Sequence, residues 1–205
     1  MPGQLFVISG PSGVGKSTVI RRLRDEVHDL GFSISHTSRP PRKGEENAVH
    51  YHFVDTETFE KMIEEGAFVE WARVYRRYYG TSFAALEEQV EKGLDVVLDV
   101  DTQGGAGIRR HFKENCALIY ILPPSLEELE KRLRGRSTDD EEVIQHRLDK
   151  ATGDISNCSW YDYLVFNEDL DKAVMEVVSI VLSGRCRRAR RLSRVEQIFK
   201  TAFKR

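Results

Sequence analysis

The stretch Gly10-Pro11-Ser12-Gly13-Val14-Gly15-Lys16-Ser17 constrains this chain more than any other. It fits G-x-x-x-x-G-K-[ST] at every fixed position, and Thr18 continues it. The apolar run Leu5-Phe6-Val7-Ile8 precedes it. Val19, Ile20, Leu23, Val27 and Leu30 follow, on one face of a predicted helix that stops at Gly31. Strand, glycine-rich turn and helix in this order make a polyphosphate site. The glycines let backbone N–H groups turn inward, and the helix N-terminus adds partial positive charge. Lys16 is expected to reach the β- and γ-phosphates, and the Ser17 hydroxyl to ligate Mg²⁺. A chance match in a glycine-rich turn would not bring both flanking elements with it.

Composition narrows the class. The 205 residues carry 31 basic and 33 acidic side chains, so charge gives no global nucleic-acid or membrane signal. No apolar run approaches the ~20 residues of a membrane span. The chain enters a strand almost at once, so no signal peptide is expected. Cys116, Cys158 and Cys186 lie far apart without a C-x-x-C, which reads as reduced thiols in a cytoplasmic protein.

Along the chain, short apolar strands alternate with amphipathic helices. This pattern predicts an α/β fold with a parallel core sheet covered on both faces. Strands are expected at Phe32–Ser35, Tyr51–Val54, Phe68–Ala72, Asp95–Asp99, Leu118–Leu122 and Tyr163–Phe166. Tyr78-Tyr79-Gly80-Thr81 reads as a turn, and Asp55 and Ser82 as helix N-caps. Asp99 and Asp101 end a buried-type strand, where open α/β sheets bind ligands and where a second Mg²⁺-facing carboxylate is expected. Two excursions interrupt the core. Residues 33–90 form a mixed α/β insertion, and residues 126–157 form two helices joined by the arginine-rich Arg132–Arg136 link. That leaves 1–32, 91–125 and 158–205 as a discontinuous core. The basic segment from Arg185 to Arg205 reads as a solvated helix end, although an acidic partner or nucleic acid could also bind there.

Taken in order, the motifs resemble those of guanylate kinases, from about residue 4 to residue 184. They are Ser9 through Ser17, Ser35-His36-Thr37-Ser38-Arg39-Pro40-Pro41-Arg42-Lys43-Gly44-Glu45, Phe68-Val69-Glu70-Trp71-Ala72, Tyr79-Gly80-Thr81, Asp99-Val100-Asp101-Thr102-Gln103-Gly104, and Arg132 through Arg136. The resemblance implies a P-loop kinase fold and Mg²⁺-dependent phosphoryl transfer from ATP to GMP, possible with dGMP as well. It makes 33–90 the monophosphate-binding insertion and 126–157 the lid. It implies ATP contacts from Gly10, Pro11, Ser12, Gly13, Val14, Gly15, Lys16, Ser17 and Thr18, with Asn167 at the adenine. Arg39, Arg42, Tyr51 and Tyr79 would hold the GMP phosphate, and Glu45 would belong to the same GMP-binding set. Ser35, Glu70, Thr81 and Asp101 would surround the guanine. Lys16, Arg39, Arg42, Arg132, Arg136 and Arg147 would act on the transferring group, and Ser17 and Asp99 on the metal.

The chemistry of the residues agrees with that implication. Guanine presents N1–H and an exocyclic amine on one edge, and ionised carboxylates only accept. Adenine has a bare acceptor there, and an unpaired buried polar group costs roughly 1–3 kcal/mol. The same residues leave room for other readings. Another nucleoside-monophosphate kinase, for AMP or a pyrimidine, is one: the paired acids argue against AMP, and a substrate panel would settle it. A guanylate-kinase-like protein-binding module could dispense with the intact Gly15-Lys16-Ser17. A GTP-driven switch would need an N-K-x-D loop, which the sequence lacks. Four residues depart from the family pattern: Ser137 in the expected lid, Thr102 before Gln103, and Arg76-Arg77 before the paired tyrosines.

Overall fold

A computed structural model describes residues 3–74, 76–135 and 141–203. The chain begins with β1 (Leu5–Ser9), α1 (Lys16–Glu26) and β2 (Leu30–Phe32). The first excursion contains β3 (His36–Thr37), β4 (His52–Phe53), α2 (Thr56–Glu64), β5 (Phe68–Val74), β6 (Arg77–Ser82) and α3 (Phe83–Glu91). The core resumes with β7 (Asp95–Asp99), α4 (Thr102–Phe112) and β8 (Cys116–Leu122). Then come α5 (Leu126–Arg134), α6 (Glu141–Ile155), β9 (Tyr163–Phe166), α7 (Leu170–Arg185) and α8 (Arg188–Ile198).

The core sheet runs β2-β7-β1-β8-β9, with every neighbouring pair parallel. Strand alternation sorts its side chains into two layers. Phe6 and Ile8 meet Val19, Ile20 and Leu23 of α1 and Val174, Val177 and Val181 of α7. Leu5 and Val7 meet Leu86 and Val90 of α3 and Ile108 of α4 on the other face. Although α3 falls within the 33–90 excursion by position, its buried side chains therefore pack on the core sheet. The α/β expectation and the covering of both faces are borne out.

A second, four-stranded sheet in the order β4-β3-β6-β5 is mostly antiparallel. Helices α5 and α6 hold a separate small core of Leu129, Leu133, Ile144 and Ala151, with Leu148 against it. The expected caps form. Asp55 accepts from Thr58 N at 2.7 Å and Ser82 from Ala85 N at 3.1 Å.

Three local expectations need correction. The first helix does not run to Gly31. Val27 is extended (φ −109°, ψ 107°) and Asp29 adopts φ 59°, which reverses the chain so that Leu30 pairs with Asp95. The strand expected at 32–35 accordingly lies earlier, at β2. Finally, Tyr78-Tyr79-Gly80-Thr81 is a strand and not a turn. Its aromatic and β-branched residues suit a pleated surface, and Gly80 serves close approach. A Cβ there would fall 2.8 Å from the Glu70 carbonyl oxygen and 2.9 Å from Trp71 Cβ. Gly80→Ala is therefore expected to destabilise the protein by about 1–3 kcal/mol. A lower urea midpoint at unchanged m-value would show it, and an unshifted midpoint would not be compatible with this packing.

Candidate active site

The glycine-rich loop leaves β1 at the carboxyl edge of the sheet, where β7 and β8 flank it. Its backbone needs glycine at two points above all. Gly10 has φ 148° and a Cβ would lie 2.3 Å from the Ile121 carbonyl oxygen; Gly15 has φ 101° and a Cβ would lie 2.5 Å from Asn167 Nδ2. Residue 16 opens α1, so the helix N-terminus faces the loop's hollow. Lys16 Nζ donates to the Gly10 carbonyl at 2.8 Å and to that of Pro11 at 3.4 Å, which holds the ammonium over the loop.

Beyond the loop, Gly10, Ser12 and Lys16 line one cavity of about 270 Å³ with Glu70, Asp99, Asp101 and Arg147. Side chains from the loop, the insertion, the end of β7 and the lid thus converge. Ser17 and Asp99 share the adjoining cleft along α1. Burial raises the Asp99 carboxyl above its ordinary range, and the Lys16 charge opposes that shift. Asp101 caps α4 by accepting from Gly104 N at 2.9 Å. Glu70 accepts from Thr81 Oγ1 at 3.2 Å, and Thr81 Oγ1 lies 3.4 Å from Ser35 Oγ. Desolvation raises the Glu70 carboxyl, and Asp101 and Asp99 raise it further against the Thr81 hydrogen bond. Three neighbouring carboxylates in a partly dry cavity favour a ligand that donates hydrogen bonds. The strand register shifts between Phe68 and Glu70, which aligns Glu70 with Thr81.

The arginine loop forms a second cluster. Arg39 Nη2 is 2.8 Å from Glu45 Oε1, and Glu45 Oε2 accepts from Arg42 N at 2.6 Å. The Arg39 guanidinium lies 5.6 Å from the Tyr51 ring centre and 5.7 Å from that of Phe53. Tyr51 and Tyr79 meet edge to face at 6.1 Å, and Tyr79 also faces Arg39. Arg39, Glu45, Tyr51 and Tyr79 are thus one packed unit before any ligand arrives, with Arg42 joined to it through its backbone. Phe53 belongs to the unit and was not singled out in the sequence. Its spacing of two from Tyr51 on a strand was the available signal.

On α5, Arg132 donates to the Asn167 carbonyl at 3.0 Å and to Glu128 at 3.2 Å. Arg136, like Ser137, lies outside the described residues. Asn167 itself is buried, and its amide nitrogen donates to the Val14 carbonyl at 2.7 Å. Sequence reasoning also missed Tyr161, whose hydroxyl faces Ser9 at the root of the loop and whose pKa burial pushes up to about 12. No motif marks that tyrosine; only the folding of the segment before β9 beneath α4 brings it there.

Comparison with known proteins agrees with this geometry. The guanylate kinase family model matches residues 3–183. The chain belongs to the guanylate kinase family. It is 51% identical over 197 residues to the guanylate kinase of Syntrophotalea carbinolica, covering 96% of this chain and 93% of the relative. It is 48% identical over 190 residues to that of Zymomonas mobilis, covering 93% and 88%. Among solved structures, the guanylate kinase of Anaplasma phagocytophilum superposes with a TM-score of 0.67 at 32% identity, covering 96% of this chain and 94% of that one. The guanylate kinase family match ends at residue 183, so α8 lies beyond it.

The Arg39–Glu45 unit gives a pH test. Its hydrogen bonds hold the Glu45 carboxyl down to about 2. A depressed carboxylate pKa contributes stability above the unfolded value, lost as pH falls through the folded one. The thermal stability difference between wild type and Glu45→Gln is expected to be constant above about pH 5 and to shrink steadily between the ordinary carboxylate range and about 2. A pH-independent difference in melting temperature across that window would contradict the assignment.

Proposed function

We propose that the protein transfers the γ-phosphoryl group of ATP to GMP, giving ADP and GDP. The observation that carries this reading is the single cavity in which the phosphate loop, Glu70, Asp101 and the lid residue Arg147 meet. The loop supports a triphosphate, and the Ser35–Thr81–Glu70 chain with Asp101 supports a purine edge rich in donors. The Arg39 cluster supports a monophosphate, which its guanidinium can grip in bidentate fashion.

Mechanistically, phosphoryl transfer needs alignment and positive charge around the migrating group more than covalent work. No general base is required, because the acceptor is a phosphate oxygen already ionised at neutral pH. Loop amides and Lys16 would hold the donor; Arg39, Arg42 and Tyr79 would hold the acceptor. Arg132 and Arg147, with Arg136 from the same segment, would approach from the lid and stabilise charge on the transferring group. The small independent core of the lid helices fits closure as a body, which would exclude water as a competing acceptor.

Ser17 and Asp99 supply oxygen donors at one cleft and fit Mg²⁺. Among the described residues no group of three or more His, Cys, Asp or Glu could hold a metal alone, so nucleotide phosphates would complete the shell. When bound, the ion neutralises charge on the β- and γ-phosphates. We also place the protein in the cytoplasm. Its three cysteines are free, and no described helix is long and apolar enough to cross a membrane. The binding-module reading is not favoured, because it gives no reason for an intact Lys16 held over the loop.

An ADP-release assay with each monophosphate in turn tests the proposal. GMP should turn over strongly and AMP weakly or not at all. Lys16→Ala should lower kcat by about a hundredfold or more, and Glu70→Gln should narrow GMP-over-AMP discrimination by about tenfold. Equal turnover of AMP and GMP would overturn the substrate assignment. A second expectation concerns Arg76 and Arg77. Arg77 donates to the Ser38 carbonyl at 3.3 Å, beside Arg39. Neutralising both arginines should raise the GMP KM at low ionic strength, with the effect fading as salt screens it. An unchanged KM at low salt would remove these residues from the site's electrostatics.

A further inference from the structure

The carbonyl of Val14 sits inside the phosphate loop, where the neighbouring amides must point at the ligand. Val14 is fully buried, so water does not serve this segment. The carbonyl accepts instead from Asn167 Nδ2 at 2.7 Å, across 153 residues of sequence. The asparagine is itself fixed on two other sides. Its N–H donates to the Leu122 carbonyl at 2.8 Å, which ties it to the end of β8, and its own carbonyl accepts from Arg132 at 3.0 Å. It is only 6% exposed. The fit leaves no slack on the loop side. A Cβ at Gly15 would stand 2.5 Å from the amide nitrogen, and one at Gly13 would stand 2.7 Å from Leu133 of the lid.

We propose that Asn167 is a positioning residue for the phosphate loop: its side-chain amide holds the Val14–Gly15 peptide in the orientation that presents the loop's N–H groups to the triphosphate. The proposal rests on the assignment of this loop to the nucleotide donor. It differs from the role that resemblance suggests, a contact with adenine. A peptide unit that rotates about its neighbours would turn its carbonyl into the anion site. A buried donor on the far side fixes the sign of that rotation. Preorganised donors cost no rearrangement when the anion arrives, and their geometry depends on the groups that support them. The same residue receives Arg132 from α5, so the loop and the lid rest on one point of the core sheet.

The two roles separate by which part of the nucleotide feels a substitution. Inorganic tripolyphosphate with Mg²⁺ carries no base, and adenosine carries no phosphate. Binding of each to wild type, Asn167→Leu and Asn167→Ser is measured by calorimetry without turnover, so the result does not depend on which monophosphate is phosphorylated. Loss of one supporting hydrogen bond with its acceptor left buried should weaken tripolyphosphate binding about tenfold. Adenosine binding should stay within twofold, while ATP binding, measured in the same way without GMP, follows tripolyphosphate. Weakened adenosine binding with unchanged tripolyphosphate binding would overturn the proposal in favour of base contact. Nuclear magnetic resonance of the wild-type Asn167 side-chain amide gives the same decision should a variant fail to fold. Its resonances should shift when tripolyphosphate is added; a shift with adenosine alone would overturn the proposal.

Discussion

The structure depends on where β1 stops. This strand lies at the centre of five parallel strands, and Leu5 through Ile8 have no exposed surface. Burial on both faces leaves it no freedom of register, because a slip of one residue would exchange the two layers it feeds. Its end is therefore a fixed point. The chain must leave the sheet there, between the ends of β7 and β8, and must do so through Gly10 pressed against the Ile121 carbonyl. Hydrophobic packing that knows nothing of phosphate thus decides where the anion-binding loop begins. Asp99 is fixed by the same sheet, through the pairing of Ile8 with it.

The remaining parts of the site hang from that frame with different degrees of independence. Glu70 and Thr81 are paired across β5 and β6, and α3 continues directly from β6 into the core layer, so the side chains proposed to face the purine are coupled to the central sheet. Helices α5 and α6, the proposed lid, carry their own apolar cluster and meet the frame at Leu133 over Gly13 and at Arg132 on Asn167. A body with its own core can move without unpacking the sheet. On the proposed reading, a purine wall coupled to the sheet and a helical pair with its own core suit a reaction in which recognition must be exact and water must be shut out only afterwards.

Much of this was legible in the sequence because the signals were local. The apolar run before the loop, the caps at Asp55 and Ser82, and the acids ending β7 each declare themselves within a few residues. What was not legible arises from distant contacts. Gly80 between aromatic and hydroxyl residues reads as a turn by local chemistry, but it is there because β5 comes close from the other side. The end of α1 was misjudged because Val27 and Leu30 continue the helical period while serving a turn and an edge strand. The acidic and basic site residues were recognisable as a set through their motifs, yet their pairings were not. Nothing near Val14 announces Asn167, and nothing near Ser9 announces Tyr161. Motif spacing reports which side chains are present; the partner that holds each in place is set by the fold.

The Arg39–Glu45 pair shows why such partners matter. If Arg39 grips the acceptor phosphate as proposed, a carboxylate beside it weakens the attraction, so charge alone would disfavour Glu45. The gain is geometric. A free arginine side chain carries about 2 kcal/mol of rotamer entropy that must be lost when it grips a phosphate. Here Glu45 takes Nη2 at 2.8 Å, the Pro40 carbonyl takes Nη1 at 2.8 Å, and Tyr51 and Phe53 flank the guanidinium, so most of that ordering is complete beforehand. A guanidinium has five N–H donors, and these two contacts leave others to turn toward a ligand. The carboxylate also fixes the Arg42 backbone through its second oxygen. One acid therefore orders two arginines, exchanging part of the site's positive potential for direction. Where two anionic substrates must be brought together against their mutual repulsion, direction is the scarcer quantity, because mobile counter-ions can supply charge but cannot align a phosphate.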